Sequence, residues 1–150
     1  MKRHPSLQDL SREHHLILLH ARELRWVSQG NGDPMRACRD FLDYWKKRGG
    51  AHFKHEEEKL IPYCEKCQDW VKTEAVSLVF KQHEDIRSFI AELETVIESV
   101  EDLKPLASAL GGLLDKNIRH EERIVFEQIQ DALSKDEIEN LGRHLNQPEI

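Results

Sequence analysis

The chain has 150 residues, of which 33% are charged and 7% aromatic, and its formal net charge is −6 with histidine neutral. This length suits one domain with one core, and an acidic chain without a basic patch argues against a nucleic-acid partner. No apolar run approaches the roughly 18 residues of a membrane span, and the first residues lack the apolar segment of a signal peptide. We therefore expect a cytoplasmic protein with one domain over residues 1–150.

Regular apolar spacing predicts helices and no convincing strand. A first helix is expected over about 6–28, opened by a capping box that starts at Ser6. A second helix is expected over about 34–64, where Asp33 acts as the N-cap before a first-turn proline. The glycine pair at 49–50 indicates a kink or a split inside this second helix.

Two more long helices and one short helix follow in the chain. The third is expected over about 69–101, and the fourth has Pro105 in its first turn. A second capping box, Ser134-Lys-Asp-Glu137, opens a short helix over about 135–146. Short connections between long helices make neighbours antiparallel. The expected fold is all-α, an up-down-up-down four-helix bundle over about 6–133 with a short C-terminal helix.

Helical geometry, at about 100° per residue, places ligand-type side chains on the apolar face of all four long helices. They are His14, His52, Glu56, His83, Asn117 and Glu121, with His120 at the edge of its stripe and His15 about a quarter-turn from His14. Because a buried ionised carboxylate without a partner is costly, two carboxylates near three imidazoles suggest a bound cation. Imidazole and carboxylate without thiolate suit iron, manganese or zinc.

Simpler interpretations exist for each of these residues. A lone histidine on an apolar face is usually a hydrogen-bonded core residue, and the run Glu56-Glu57-Glu58 alone would be a solvated face. The agreement of four helices favours a metal site. Cys64-Glu-Lys-Cys67 is a weaker indication of a redox pair or half a zinc site, because no second pair accompanies it. The odd count of three cysteines argues against a disulfide framework.

The order of histidine and carboxylate separates two kinds of metallo-bundle. Ferritin-like di-iron bundles carry Glu-x-x-His on two helices, whereas no histidine here has a glutamate three residues before it. Here the histidine comes first and the carboxylate follows one turn later. That order resembles the hemerythrin-like, HHE cation-binding family. The resemblance covers Leu-Ser-Arg-Glu-His-His (10–15), His-Phe-Lys-His-Glu-Glu-Glu-Lys-Leu-Ile-Pro (52–62), Gln-His-Glu-Asp-Ile-Arg (82–87) and Asn-Ile-Arg-His-Glu-Glu-Arg-Ile-Val-Phe (117–126).

The resemblance implies a di-iron site, with mononuclear iron, manganese or zinc as alternatives. The ligands that it implies by position are His14, His52 and His83, with Glu56 and Glu121 as bridging carboxylates. Two positions depart from the family pattern. Asn117 stands where the family usually has a histidine, and Val79 stands where blood-type hemerythrins have another. Both departures affect the same half of the centre, where His120 is the candidate substitute although it lies out of place.

In function, the resemblance implies a module that binds or senses O2, nitric oxide, peroxide or iron. A small ligand would enter an open coordination position in a dry pocket. The first alternative is an enzyme, namely a di-iron oxidase, a peroxidase or a nitric-oxide reductase, to which Cys64 and Cys67 could deliver electrons. The second alternative is a metal-free bundle that acts as an interaction module. A sensor would need a separate signalling partner. The sequence is also compatible with a homo-oligomer.

Overall fold

The computed structural model describes residues 2–67 and 74–147, and every regular element within them is a helix. The helices are α1 (Pro5–Ser28), α2 (34–67), α3 (Glu74–Val96), α4 (104–132) and α5 (Lys135–Leu145). α1 packs against α2, α4 and α5, and α3 packs against α4. The predicted all-α class is thus confirmed as a helical bundle. None of the described helices has the length and apolar character needed to cross a membrane.

The predicted caps are confirmed with one correction, and α3 ends at Val96, before the predicted end at about 101. α1 begins before Ser6, because its N-cap is His4, whose Nδ1 accepts the backbone N–H of Ser6 at 3.0 Å. Ser6 therefore lies in the first turn and does not cap the helix. The cap at Asp33 is confirmed, and so is the reciprocal capping box of Ser134 and Glu137. The predicted start of the third helix at residue 69 lies outside the described residues.

Both α2 and α4 contain π-helical turns, in which an N–H bonds the carbonyl five residues earlier. They span Trp45–Gly49 and Glu56–Leu60 in α2, and Glu121–Val125 in α4. The first turn coincides with the glycine pair. The helix neither splits nor stops there, because the N–H of Gly50 donates to the carbonyl of Trp45. The other two turns begin at the two glutamates that the sequence predicts as ligands, and such turns are frequent at functional sites.

The apolar core forms two clusters with a polar layer between them. One cluster contains Phe41, Phe53, Ile86 and Leu110, and the other contains Leu7, Leu60, Val76 and Phe126. Along each long helix, a buried polar side chain separates the residues of the first cluster from those of the second. The fold therefore places ligand-type groups from four helices at one level, shielded by apolar side chains above and below.

α1 and α4 approach each other closely at Gly111. A Cβ at this position would lie 2.8 Å from the carbonyl oxygen of Ala21 and 2.8 Å from Cγ of Arg25. We expect Gly111→Ala to lower the free energy of unfolding by about 1–3 kcal/mol, as overpacking does. At Gly112 an added Cβ meets no described atom within 4 Å. Gly112→Ala should therefore raise stability by about 0.5–1 kcal/mol.

Urea unfolding of the two alanine variants measures this difference. If Gly111→Ala is as stable as Gly112→Ala, the close approach of α1 and α4 at this point is contradicted.

Candidate metal centre

The buried polar side chains meet in one cluster inside the bundle. Its members are each at most 6% exposed and come from all four long helices: His14, His52, Glu56, His83 and Glu121. Ligand atoms of all except His83 lie within 4.8 Å of one another. A single ion with ligand bonds of about 2.0–2.2 Å spans a similar distance between opposite ligands. Five of the six predicted ligands are thus brought together.

The two carboxylates reach across the cluster in the same manner. Oε2 of Glu56 lies 2.9 Å from Nε2 of His14, and its Oε1 lies 3.5 Å from Nε2 of His83. Oε1 of Glu121 lies 3.2 Å from Nε2 of His14, and its Oε2 lies 3.0 Å from Nε2 of His83. Each carboxylate therefore presents one oxygen to each side. His52 adds a third imidazole on the His14 side, with its Nε2 3.3 Å from Oε2 of Glu56.

The glutamate that follows each of these carboxylates in the sequence accepts a hydrogen bond from the outer ring nitrogen of a histidine. Nδ1 of His14 donates to Glu122 at 2.5 Å, and Nδ1 of His83 donates to Glu57 at 2.6 Å. This leaves Nε2 of both rings directed at the cluster, the usual arrangement for a metal-ligating histidine. We call Glu57 and Glu122 the outer carboxylates. An arginine contacts each of them, Arg87 at 2.8 Å and Arg3 at 3.2 Å.

Positive charge is stabilised at the centre even without an ion. Burial alone would lower the pKa of His14, but hydrogen bonds to three carboxylates, Glu121 foremost, raise it well above its ordinary value. Burial opposes protonation of His83 too, yet hydrogen bonds to Glu121 and Glu57 raise its pKa to about 9. Burial would raise the pKa of Glu56, but the neighbouring histidines hold it well below its usual range. Both shifts favour protonated rings at His14 and His83, whose charge would offset that of the buried carboxylates.

Two atoms of the cluster have no hydrogen-bond partner among the described residues, namely Nε2 of His52 and Oε1 of Glu56. Leaving a buried polar atom unsatisfied costs about 1–3 kcal/mol, so each such atom in a native structure needs an explanation. A metal ion at the centre would bind Nε2 of His52, and its charge would stabilise the unpaired Oε1 of Glu56. The donor set of histidine and glutamate without thiolate suits a non-haem ion. The residues present therefore fit a metal.

His120, the predicted substitute ligand, is not brought to the cluster. Its Nε2 donates to the carbonyl of Ala75 on α3 at 2.7 Å. Because it precedes Glu121 by one residue, a rotation of about 100° directs it away from the centre. The structure also distinguishes the adjacent histidines of α1, since His14 is buried and His15 is exposed.

Sequence reasoning missed the buried side chain of Gln82 and the roles of the outer carboxylates. Nδ2 of Asn117 donates to Oε1 of Gln82 at 3.0 Å and to Oε2 of Glu121 at 2.7 Å. Two buried amides thus lie beside Glu121, where the sequence resemblance led us to expect a histidine at position 117. One sequence feature could have indicated the outer carboxylates: a Glu-Glu doublet occurs at both central positions, 56–57 and 121–122.

The family model described as hemerythrin HHE cation binding domain matches residues 6–129. The chain belongs to this family. Searches of curated proteins and of solved structures each found no significant match. All five cluster residues and both outer carboxylates lie inside the matched span, so this member of the hemerythrin family carries its candidate centre within the family's domain. The resemblance predicted from the sequence is confirmed.

The outer carboxylate behind His14 is expected to tune metal affinity. Glu122→Gln should weaken metal binding about 10–100-fold, as loss of a partner that orients a ligating histidine does. Glutamine keeps the size of the side chain but removes the charge that holds Nδ1. Glu58 is exposed, so Glu58→Gln removes the same charge elsewhere and should leave affinity unchanged. Competition with a chromogenic chelator measures both, and equal affinities would contradict the role of Glu122.

Proposed function

We propose that this chain is a non-haem iron protein that binds or senses a small ligand such as O2, nitric oxide or peroxide, or iron itself. The observation that carries the proposal is a buried cluster of imidazoles and carboxylates in which Nε2 of His52 and Oε1 of Glu56 have no hydrogen-bond partner among the described residues. The residues that would hold the metal are His14, His52, Glu56 and Glu121, with His83 on the far side. When bound, iron would supply redox activity and an open coordination position.

The chain's own residues keep this centre dry and its rings oriented. Phe53 stacks on His83 with ring centroids 3.8 Å apart, and Phe126 stacks on His14 at 5.1 Å. Both phenylalanines are fully buried. They restrict ring rotation and exclude water from the cluster, which strengthens the electrostatic interactions inside it. A small ligand would thus meet the metal in a site shielded from bulk water.

A surface cleft offers a route to the centre. It has a volume of about 350 Å³, lies between the start of α1, the middle of α2 and the end of α5, and is lined in part by His52. Carboxylates hold Nδ1 of the other two histidines of the cluster. His52 is instead the member that borders the cleft. This supports access of a small ligand from the His52 side.

Narrowing the cleft should slow ligand binding. Ala51 is exposed and lines this cleft, so Ala51→Phe is expected to slow azide binding to the iron-loaded protein by about tenfold, which corresponds to a barrier of about 1.4 kcal/mol. Ala91 is also exposed, but it lies on α3 in a different cleft, so Ala91→Phe is the matched control. Stopped-flow absorbance measures both rates, and an unchanged rate in Ala51→Phe would rule out this route.

Metal analysis tests the function itself. The purified chain is reconstituted with ferrous iron without air, desalted and assayed for iron per chain. Its absorption spectrum is then recorded before and after addition of azide or peroxide. We expect stoichiometric iron and a spectrum that changes with the added ligand. A chain that retains almost no iron overturns the proposal, and iron without any spectral response removes the small-ligand part of it.

An oxidase, peroxidase or nitric-oxide-reducing activity is the enzymatic alternative for the same centre. Delivery of electrons by the Cys64 and Cys67 pair finds little support. Burial raises the pKa of Cys64 to about 12, and burial also raises the pKa of Cys67. Thiols that stay protonated at neutral pH are poor redox nucleophiles. Turnover with an external reductant would nevertheless favour the enzyme.

A metal-free interaction module is the second candidate. It is favoured by the ion pairs between histidines and glutamates, which already satisfy most of the cluster. Failure of iron to bind under any condition would support it.

Finer expectations about the chain accompany this proposal. We infer that the four long helices run up-down-up-down, supported by the short connections at 29–33 and 97–103. We also infer one cytoplasmic domain. The net charge of −6 supports the absence of a nucleic-acid partner. A homo-oligomer or a signalling partner is compatible with a sensing role.

A further inference from the structure

We propose that this centre holds a single metal ion, on the side of His14 and His52, and that the amides of Asn117 and Gln82 take the place of a second ion. The inference rests on the proposed metal-binding function and specifies its stoichiometry. It predicts that buried side chains of this chain prevent a second metal ion from binding.

The donor atoms are distributed unequally over the two sides. On the first side, His14 and His52 contribute two imidazoles, and Glu56 and Glu121 contribute one oxygen each. These four residues form the group whose ligand atoms lie within 4.8 Å of one another. Four donors suffice for a non-haem ion with positions left for a small ligand. On the second side, His83 is the single imidazole among the described residues.

An amide already occupies the second side. Oε2 of Glu121, the oxygen that a second ion would need, accepts from Nδ2 of Asn117 at 2.7 Å and from Nε2 of His83 at 3.0 Å. An N–H donor directed at this oxygen stands where a cation would have to bind. The orientation of the amide is determined, because an ionised carboxylate can only accept hydrogen bonds. Asn117 is fully buried and cannot turn outward without leaving the core.

Gln82 also opposes binding of a second metal ion. Its Oε1 accepts the second N–H of Asn117, which leaves its own Nε2 as a buried donor without a hydrogen-bond partner among the described residues. The buried Oδ1 of Asn117 is an acceptor in the same state. Buried amide atoms of this kind suit water molecules, which both donate and accept hydrogen bonds. A cation would be repelled by the amide N–H. The first side has the opposite character, because the unsatisfied Nε2 of His52 can offer a lone pair to a metal.

The number of ions per chain tests the inference. Wild-type protein, Asn117→His and Asn140→His are each loaded with iron and desalted, and iron per chain is measured. We expect one ion in the wild type and two in Asn117→His, because the new imidazole removes the amide donor and gives the second side two imidazoles. Asn140 is exposed on α5, so Asn140→His adds the same group elsewhere and should hold one.

The outcomes separate the single-ion inference from the proposed metal-binding function. Two ions in the wild type overturn this inference and support the metal-binding function, whereas almost none in the wild type overturns both. One ion in both the wild type and Asn117→His overturns the role of the amides. If Asn117→His does not fold, electron paramagnetic resonance of the oxidised wild type decides. An isolated ferric ion gives a full-intensity signal, and a coupled ferric pair, which is silent, would overturn the inference.

Discussion

Glu56→Gln is expected to abolish metal binding while the bundle stays folded. Glu56 is fully buried, and its Oε2 contacts Nε2 of both His14 and His52. Its Oε1 has no hydrogen-bond partner among the described residues. An amide keeps the volume but carries no charge, so the buried ion would lose half of its carboxylate charge. Affinity should fall by more than about 100-fold, the upper end of the effect for an outer partner.

The measurement compares iron per chain and chelator-competition affinity for Glu56→Gln, Glu58→Gln and the wild type. Glu58 lies two residues farther along the same helix and is exposed, so its variant controls for the change in net charge. Circular dichroism confirms that each variant is helical. If Glu56→Gln binds iron as the wild type does, the carboxylate is not a ligand and the centre described here is not the metal site.

The members of the cluster could be predicted because their positions depend on local geometry. A helix repeats every 3.6 residues, so the apolar stripe of each helix identifies the polar residues that it buries. The pair of His52 and Glu56 was predictable for the same reason, since residues four apart share a face. No knowledge of how the helices pack was needed for that step.

The contacts behind the cluster could not be predicted, because they depend on how the helices are rotated against one another. Glu57 holds His83, and Glu122 holds His14, in each case across two helices. Helical periodicity places both glutamates beside the buried face and says nothing of their partners. His120 shows the same limit. A residue at the edge of an apolar stripe can face either the centre or the neighbouring helix. The hydrogen bond from His120 to the carbonyl of Ala75 shows that its ring faces α3.

The π turns are a further feature beyond sequence reasoning. A π turn is a rare irregularity inside an α-helix and is frequent at functional sites. The turns at Glu56–Leu60 and Glu121–Val125 occur where buried carboxylates face histidines from neighbouring helices. The irregular turns thus coincide with the site, and helical periodicity alone does not predict them.

The metal-free chain is expected to lose stability as the pH rises from about neutral into the alkaline range. The pKa of His83 rises from 6.5 to about 9 on folding, because hydrogen bonds to Glu121 and Glu57 outweigh burial. A group with a higher pKa in the folded state contributes its full stabilisation below 6.5. That contribution disappears as the pH passes through about 9. The shift corresponds to about 3 kcal/mol, and His14 acts in the same direction.

Urea unfolding between neutral and alkaline pH, on chelator-treated and iron-loaded protein, measures this dependence. Iron should flatten part of the profile, because an ion bound at His14 replaces the proton of that ring and binds more tightly as the proton leaves. The contribution of His83, which lies on the other side of the centre, should remain. His83→Gln should also flatten the profile of the metal-free chain, whereas His15→Gln, at an exposed position, should leave its slope intact. A metal-free wild type whose stability is constant over this window would mean that the buried rings are not held as imidazolium ions. The balance of charge inferred for the centre would then be wrong.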